Sequence, residues 1–408
     1  MQKWLTIIGI GEDGIDGLSA IARSVLNQAN IIMGGKRHLQ MISDILPNDH
    51  RQIIPWKSPF DDSIQDIIKL RGQSICILAS GDPMCYGIGS TIIKYIPIDE
   101  ITIIPHLSAF SLACSRLGWS FTDVEYLSLC GRPLDTINYH IYPHAKLLVL
   151  SSGKNTPRDI AQVLTSRGYG NSKITVLQNL GGSNECIISD LAANCSKTEI
   201  AVLNIVAVEC IANLGISGFS RFPGLPDNAF IHDGQLTKRE IRSVTLSSLA
   251  PLPGQLLWDV GAGCGSISIE WMRSNTRCQA IAIEQNPTRI NYIVNNANNL
   301  GTPNLQIIAG KVPEILPTLQ NLPQPDAVFI GGGVTASGVL EFCWNALRNG
   351  GKMVVNVVTL EGEKRLYEWY EQVGGDFIKI GIQRGEPIGK FLGWKSMSCV
   401  TQWVGIKQ

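Results

Sequence analysis

Apolar residues in this chain gather in short runs that lack a regular polar alternation. In the first half the runs are Leu5–Ile8, Ile75–Leu78, Ile101–Ile104, Leu147–Leu150, Ile174–Leu177 and Ile200–Val208, separated by stretches that can be helical. A strand with one wet face alternates apolar and polar side chains, whereas a strand covered on both faces does not. The runs therefore predict parallel or mixed sheets with helices outside. In the second half Leu256–Val260, Ala280–Ile283, Leu305–Ile308, Ala327–Ile330 and Met353–Val358 recur between helical spacers. That is the pattern of a doubly wound α/β sheet.

Two of these strands run into glycine-rich turns: LTIIGIGEDG, residues 5–14, and QLLWDVGAGCG, residues 255–265. Glycine there lets the backbone turn sharply and lets a ligand approach the main chain with no Cβ between. Two such units predict two ligand-binding α/β modules. Between them, residues 209–230 are rich in Gly and Pro, have no sustained period, and contain Pro223 and Pro226, which oppose helix. The expected organisation is a first domain over 1–209, a linker over 210–222 and a second domain over 223–408.

The length of 408 residues suits two or three domains, each able to bury a core. Thirty-four basic residues balance 34 acidic ones, which argues against a nucleic-acid or anionic-membrane partner held by a basic surface. Divided at residue 220, the counts are 17 basic and 19 acidic, then 17 and 15, so neither part holds an anion by long-range attraction. Only 17% of residues are charged, as in an apolar globular chain. No uncharged apolar run approaches the ~18 to 20 residues that span a bilayer, and Glu12, Asp13 and Asp16 stand where a signal peptide needs its cleavage region. A cytoplasmic protein without a membrane partner is expected. The eleven cysteines form no C-x-x-C pair and read as reduced, mostly buried small hydrophobes. His140 and His144 have the spacing of a metal pair, but Pro143 between them spoils a helix, so no metal is expected.

In the second turn, Asp259 ends a strand and Gly261, Ala262, Gly263, Cys264 and Gly265 follow, while Glu284 ends the next strand. A carboxylate there can accept both ribose hydroxyl hydrogens of an adenosine cofactor. That geometry fits NAD and S-adenosylmethionine alike. The spacing lacks the third glycine of a dinucleotide fingerprint, and Asp259 would repel phosphate but suits an ammonium group, so the residues favour S-adenosyl-L-methionine. Upstream, HDGQLTKREIRS (residues 232–243) sets Thr237 three residues before Glu240, a capping-box spacing that predicts a helix to about Leu249. Lys238, Arg239 and Arg242 are either its solvated face or a local cationic patch for carboxylates. Gly331 and Gly332, in DAVFIGGG, leave room for a bulky flat ligand, and no N/D-P-P-Y motif of base-modifying enzymes is present.

The first turn, GIGEDG, is no phosphate loop, because Glu12 and Asp13 would face the anion. With LASGDPMCYGIGS (residues 78–90) and IIPHLSAFSLACSRLGWS (residues 103–120), in this order and spacing, it resembles the tetrapyrrole methylase family. SLCGRPL, residues 128–134, is similar to a further segment of that family, with Cys130 where relatives often place His. Residues 223–408, with LLWDVGAGCGSISIEWM, FIGGG, VTLEGE and the terminal VTQW, resemble the Rossmann-like methyltransferases that partner it in corrin biosynthesis.

The resemblance implies an amino-terminal fold of two α/β lobes with S-adenosylmethionine in the cleft between them. Asp82, Cys85, Ser108 and Ala109 would line that cofactor, and Gly9 and Gly11 would floor a substrate trough; His106 stands where many relatives have Gly. In the second domain Thr237, Gly261 to Gly265, Glu284 and Val312 match cofactor positions, with backbone groups at Lys311 and Val312 meeting adenine. The implied chemistry is methylation of ring carbons 5 and 15 and loss of carbon dioxide from one acetate arm of an anionic tetrapyrrole. His232, Asp233 and Gln235 are candidates for proton handling in that loss, and Arg132 joins Lys238, Arg239 and Arg242 as a candidate for the carboxylate arms. A homo-oligomer is also implied. An RNA methyltransferase and a binding-only module are the competing readings, the former opposed by the neutral charge.

Overall fold

The computed structural model describes residues 3–43, 51–195 and 199–408. Two compact units emerge: Met1–Leu134 with Ile141–Ser217, and Asp135–His140 with Gly218–Gln408.

Among the described residues of the first unit, β1 (Leu5–Ile10), β2 (Ile31–Gly34), β3 (Gln52–Pro55), β4 (Ile75–Ser80) and β5 (Ile101–Ile104) form a parallel sheet in the order β3-β2-β4-β1-β5. Both faces are covered, as the unbroken apolar runs predict. Leu5 and Ile7 pack with Ile64 and Ile67, whereas Ile8 and Ile10 point the other way onto Ala22 and Leu26. The covering helices are α1 (Ala20–Gln28), α2 (Lys36–Ser43) and α3 (Phe60–Lys69), with a short turn α4 (Gly89–Ile92) after β4. Next come α5 (Ala109–Leu117), β6 (Glu125–Ser128), β7 (Lys146–Leu150), α6 (Thr156–Ser166), β8 (Lys173–Gln178), β9 (Cys186–Leu191) and β10 (Asn204–Glu209). They give a second sheet, ordered β6-β7-β10-β8-β9, in which β6 and β7 are parallel and the other pairs antiparallel. The run Ile200–Val208 forms a strand only from Asn204, whose amide turns back to the Ala201 carbonyl. Strands β3 and β9 are largely exposed, so no apolar run marks them.

The second unit follows α7 (Arg239–Leu249), β11 (Leu256–Val260), α8 (Ser266–Ser274), β12 (Gln279–Glu284), α9 (Pro287–Asn299), β13 (Gln306–Ala309), β14 (Ala327–Ile330), α10 (Val339–Ala346), β15 (Lys352–Val357), α11 (Leu360–Val373) and β16 (Asp376–Ile380). A hairpin of β17 (Gln383–Ile388) and β18 (Phe391–Ser396) precedes β19 (Val400–Ile406). The sheet order is β13-β12-β11-β14-β15-β19-β16, with β19 antiparallel to both neighbours. Strand order reverses between β11 and β14, and in open α/β sheets that switch point opens a ligand crevice at the carboxyl ends of the strands. The glycine loop stands there. Among the described residues no helix is long and apolar enough to cross a membrane.

Candidate functional sites, one in each unit

In the first unit β1, β4 and β5 are neighbours, and parallel register brings the loops after all three to one edge. Contact there is backbone to backbone. A Cβ on Gly9 would lie 1.9 Å from the Gly81 carbonyl oxygen and 2.6 Å from the His106 nitrogen. Gly81, at φ +53°, leaves no room for a Cβ beside the Leu107 carbonyl, 2.9 Å away. The three segments named from sequence therefore form one surface. Asp82 accepts the Met84 N–H at 2.8 Å, and Ser108 caps α5 by accepting the Ser111 N–H at 3.1 Å, which fixes Ala109 at the helix start. Burial, then the Asp82 charge, raise the Cys85 thiol pKa, while a hydrogen bond with Ser108 lowers it, so Asp82 and Ser108 both lie close to Cys85. Arg132 stacks over the Tyr86 ring at 5.1 Å, beside Cys85. His106 keeps an ordinary negative φ, so the glycine of relatives is not needed for backbone shape.

Three side chains at this edge were not among the expected site residues. Arg37 and His38 start α2, and both reach Ser80 Oγ, at 3.1 and 2.9 Å. Arg37 also pairs with Glu12 of the first glycine turn. Burial, with the Arg37 charge adding to it, lowers the His38 pKa to about 4. The third, Asp13, lies 3.3 Å from His106 through Oδ2 and Nε2.

In the second unit Gly261, Gly263 and Gly265 all have positive φ, between +61° and +80°. A Cβ on Gly261 would fall 2.8 Å from the Gly332 nitrogen, so the loops after β11 and β14 touch through main chain alone. Val312 packs where a Cβ on Gly333 would sit. Glu284, 5% exposed, accepts the Gly263 N–H at 2.8 Å through Oε2, and those of Gln285 and Asn286 at 3.0 and 2.9 Å through Oε1. A carboxylate offers roughly four acceptor positions. One is taken by the Gly263 N–H of the glycine loop and two by the N–H groups that follow Glu284 itself. Cys264 is buried, its thiol pushed up to about 11 by that burial, and its carbonyl accepts from Asn296 at 3.0 Å.

Three expectations change. Asp259 does not present its carboxylate to an ammonium group: Oδ2 accepts the Ser268 N–H and hydroxyl at 3.1 and 2.5 Å, and Oδ1 is shut from water. The Thr237–Glu240 capping box does not form; α7 begins at Arg239 behind an uncapped Lys238. Asp227 accepts the Arg239 N–H at 2.9 Å instead, while Glu240 is held by Arg384 at 2.6 Å. Arg242 is no substrate ligand, being fully buried and bonded to Glu270 at 2.6 Å, to the Thr237 carbonyl at 2.5 Å and to the Leu225 carbonyl. Of the cationic patch, Lys238 and Arg239 keep access to solvent. The proton-handling candidates have separate partners: His232 Nδ1 accepts the Gly234 N–H at 2.9 Å, and Asp233 pairs with Arg289 at 2.8 Å, which lowers its pKa.

The loop that carries them nonetheless lies at the site. The Gln235 carbonyl is 3.7 Å from where a Gly263 Cβ would be. Fully buried Asn296 clamps Ile231, accepting its N–H at 2.8 Å and donating to its carbonyl at 3.0 Å, while also holding the Cys264 carbonyl. Nothing in the run NNANN distinguishes Asn296 from its neighbours.

Two glycine-built crevices, one on a tetrapyrrole-methylase edge and one on a Rossmann-like switch point, define a two-domain methyltransferase. Two family models match the chain: "Tetrapyrrole (Corrin/Porphyrin) Methylases" over residues 4–194, and "Precorrin methyltransferase domain" over residues 228–407. A precorrin-6Y C(5,15)-methyltransferase [decarboxylating] of Sinorhizobium sp. is 43% identical over 403 residues, covering 99% of this chain and 96% of that protein. Its counterpart in Mycobacterium tuberculosis (strain CDC 1551 / Oshkosh) is 38% identical over 98% of both chains. A cobalt-precorrin-7 C(5)-methyltransferase of Salmonella typhimurium is 30% identical over 189 residues, covering 45% of this chain and 88% of that one. The chain belongs to the family of decarboxylating precorrin-6Y C(5,15)-methyltransferases.

Proposed function

We propose that residues 1–209 methylate carbon 5 of the precorrin ring, that residues 223–408 methylate carbon 15 and decarboxylate the ring C acetate, and that residues 210–222 link the two activities. The family activity is S-adenosylmethionine-dependent methylation of a tetrapyrrole in cobalamin biosynthesis, and the split is supported by a relative named for a carbon 5 activity that matches 45% of this chain. The observation that carries the reading is the pair of main-chain cradles, at Gly9–Gly81 and at Gly261–Gly332, each of which a single Cβ would fill.

Those cradles suit a flat, polar adenosyl group, which needs close backbone approach and hydrogen-bond acceptors at its ribose. S-adenosylmethionine, when bound, supplies an electrophilic sulfonium methyl. Asp82, Ser108 and the Cys85 pocket would hold it in the first domain; Gly261 to Gly265, Glu284 and Val312 would hold it in the second. The chain's main work is then alignment of donor and acceptor carbons, worth ~7 to 11 kcal/mol of barrier when well oriented. In the second domain the Asn296 clamp sets the height of the His232–Gln235 loop over the crevice, and Arg289 keeps Asp233 ionised. His232 is the imidazole on that loop and the candidate to pass a proton in the loss of carbon dioxide. Lys238 and Arg239 receive carboxylate arms, as does Arg132 in the first domain. The cobalt-free precorrin ring is the proposed substrate and the cobalt-containing ring the alternative, which competition between the two would separate.

The test uses the full chain. Gly9→Val should remove carbon 5 methylation while carbon dioxide release persists, and Gly261→Val should remove carbon 15 methylation and carbon dioxide release together, read by mass spectrometry. The opposite pattern overturns the division. Self-association, implied by the resemblance, is read by light scattering on the purified chain.

A further inference from the structure

We infer that Tyr86 is a positioning residue for the carbon 5 reaction: its ring holds the Arg132 guanidinium by the face and leaves the guanidinium N–H groups free for a carboxylate arm of the tetrapyrrole. The inference deepens the assignment of carbon 5 to the first domain and rests on Arg132 receiving an arm there.

Tyr86 has an unusual backbone. Its φ is +53°, in the left-handed region that a bulky side chain rarely enters. The turn after β4 imposes it. The Cys85 N–H donates to the Asp82 carbonyl at 3.1 Å and the Gly89 N–H to the Pro83 carbonyl at 2.9 Å, so the chain coils over Pro83. A Cβ on Gly87 would fall 2.5 Å from the same Pro83 oxygen, which closes any wider path. Glycine makes such a bend without strain, so an aromatic ring held there at a cost to stability points to use at the site.

The ring is fixed yet accessible. Its hydroxyl donates to the Tyr126 carbonyl at 3.4 Å, Phe110 packs against it edge-on at 6.0 Å, and Tyr86 remains 49% exposed. Arg132 lies over the ring with Cζ 5.1 Å from its centre. Arg37, Arg71 and Arg116 of the same unit each pair with a glutamate. Among the described residues Arg132 has no carboxylate partner, and its hydrogen bond to the Ser128 carbonyl is long, at 3.5 Å. An ion pair would neutralise the guanidinium and fill its fork. Attraction to a ring face does neither, because the N–H groups point outward in the guanidinium plane. A parallel pair of them is what a carboxylate takes. Cys85, the neighbour of Tyr86, lies close to Asp82 and Ser108 of the expected cofactor pocket. A carboxylate clamped at Arg132 therefore ties the tetrapyrrole down beside the methyl donor.

Steady-state carbon 5 methylation by the full chain, with the cobalt-free precorrin ring as substrate, tests this. Tyr86→Leu should raise KM for the ring about 5- to 30-fold, the worth of a partly desolvated cation–ring contact. Tyr86→Asn, which tolerates the left-handed backbone but has no ring, should do the same. In both, kcat, KM for S-adenosylmethionine and carbon 15 methylation should stay within about twofold of the parent, as expected when only substrate binding is lost. Tyr86→Phe keeps the ring face and should keep the parent KM. Arg132→Gln should raise KM at least as far as Tyr86→Leu, and the double variant no further, because the ring then has nothing to hold. A parent-like KM in Tyr86→Leu and Tyr86→Asn, with KM raised in Arg132→Gln, overturns the inference. So does a rise from Tyr86→Leu that persists in full in the Arg132→Gln background, or a matching loss of S-adenosylmethionine affinity, which would give the ring to the cofactor pocket. A parent-like KM in Arg132→Gln would instead remove Arg132 from the substrate, and survival of carbon 5 methylation in Gly9→Val would sink the domain assignment.

Discussion

Replacing Glu270 by Gln should destabilise the second unit far more than any surface change. Glu270 is 2% exposed and Arg242 is fully buried, so their ion pair is closed to solvent. The carboxylate accepts from Arg242 Nε at 2.6 Å and from the Gly224 and Leu225 N–H groups at 2.6 and 3.0 Å. Glutamine keeps the shape but removes the charge and turns one acceptor end into a donor. The guanidinium then retains only Asp227, 3.4 Å away, as an anionic partner. Breaking a buried pair from one side costs about 3 to 5 kcal/mol. For a unit of this size each kcal/mol lowers the melting temperature by about 2 to 4 °C, so the drop should be roughly 6 to 20 °C. Calorimetry of the full chain should resolve it as a shift of one transition, with the first unit unmoved. Arg242→Met combined with Glu270→Leu should lose less than the sum of the single changes, because no charge is left buried alone. A Glu270→Gln transition within 2 °C of the parent would refute this reasoning. So would an Arg242→Met variant of unchanged stability whose KM for the tetrapyrrole rises, which would return Arg242 to the substrate.

Three further outcomes follow from buried ionisable groups and the loop clamp. Burial lifts the Asp259 pKa to about 6 from 3.8, so the fold favours its protonated form and stability falls as pH rises between those values, by about 3 kcal/mol; Asp259→Asn should flatten urea-unfolding stability over that window. His38, lowered to about 4 from 6.5, has the opposite effect: stability declines as pH drops from 6.5 toward 4. Its Cε1 proton should show no titration step above pH 5 by NMR, and a midpoint near 6.5 would contradict the burial argument. Asn296→Ala removes three hydrogen bonds holding Ile231 and Cys264, so carbon dioxide release should fall at least about tenfold while carbon 5 methylation holds; equal loss of both would mean general unfolding.

Much of this protein follows from local pattern. Unbroken apolar runs identify strands buried on both faces, and glycines at their carboxyl ends mark where main chains meet, because neither depends on distant residues. Among the strands the pattern misses, β3 and β9 are exposed, β2 and β6 are only four residues each, and β16 to β19 lie beyond the last apolar run named. The site residues divide in the same way. Gly9, Gly81, Gly261 and Glu284 stand where strand order puts them, next to the loops they were expected to meet. Contacts between distant segments were not legible. The Thr237–Glu240 spacing is a valid capping box in isolation, yet Asp227, twelve positions upstream, takes the cap and Arg384 of the hairpin takes Glu240. Arg242 has the same composition as a substrate-binding arginine; only the proximity of α8, carrying Glu270, decides that it is a buried brace. His106 and Asp13 are 93 residues apart, and parallel pairing of β1 with β5 makes them neighbours. Sequence determines which segments become strands and where backbone must come close, since those depend on local polarity and on the missing Cβ. Which charge meets which is decided by tertiary structure, because an ion pair requires two side chains to share a space that only packing creates.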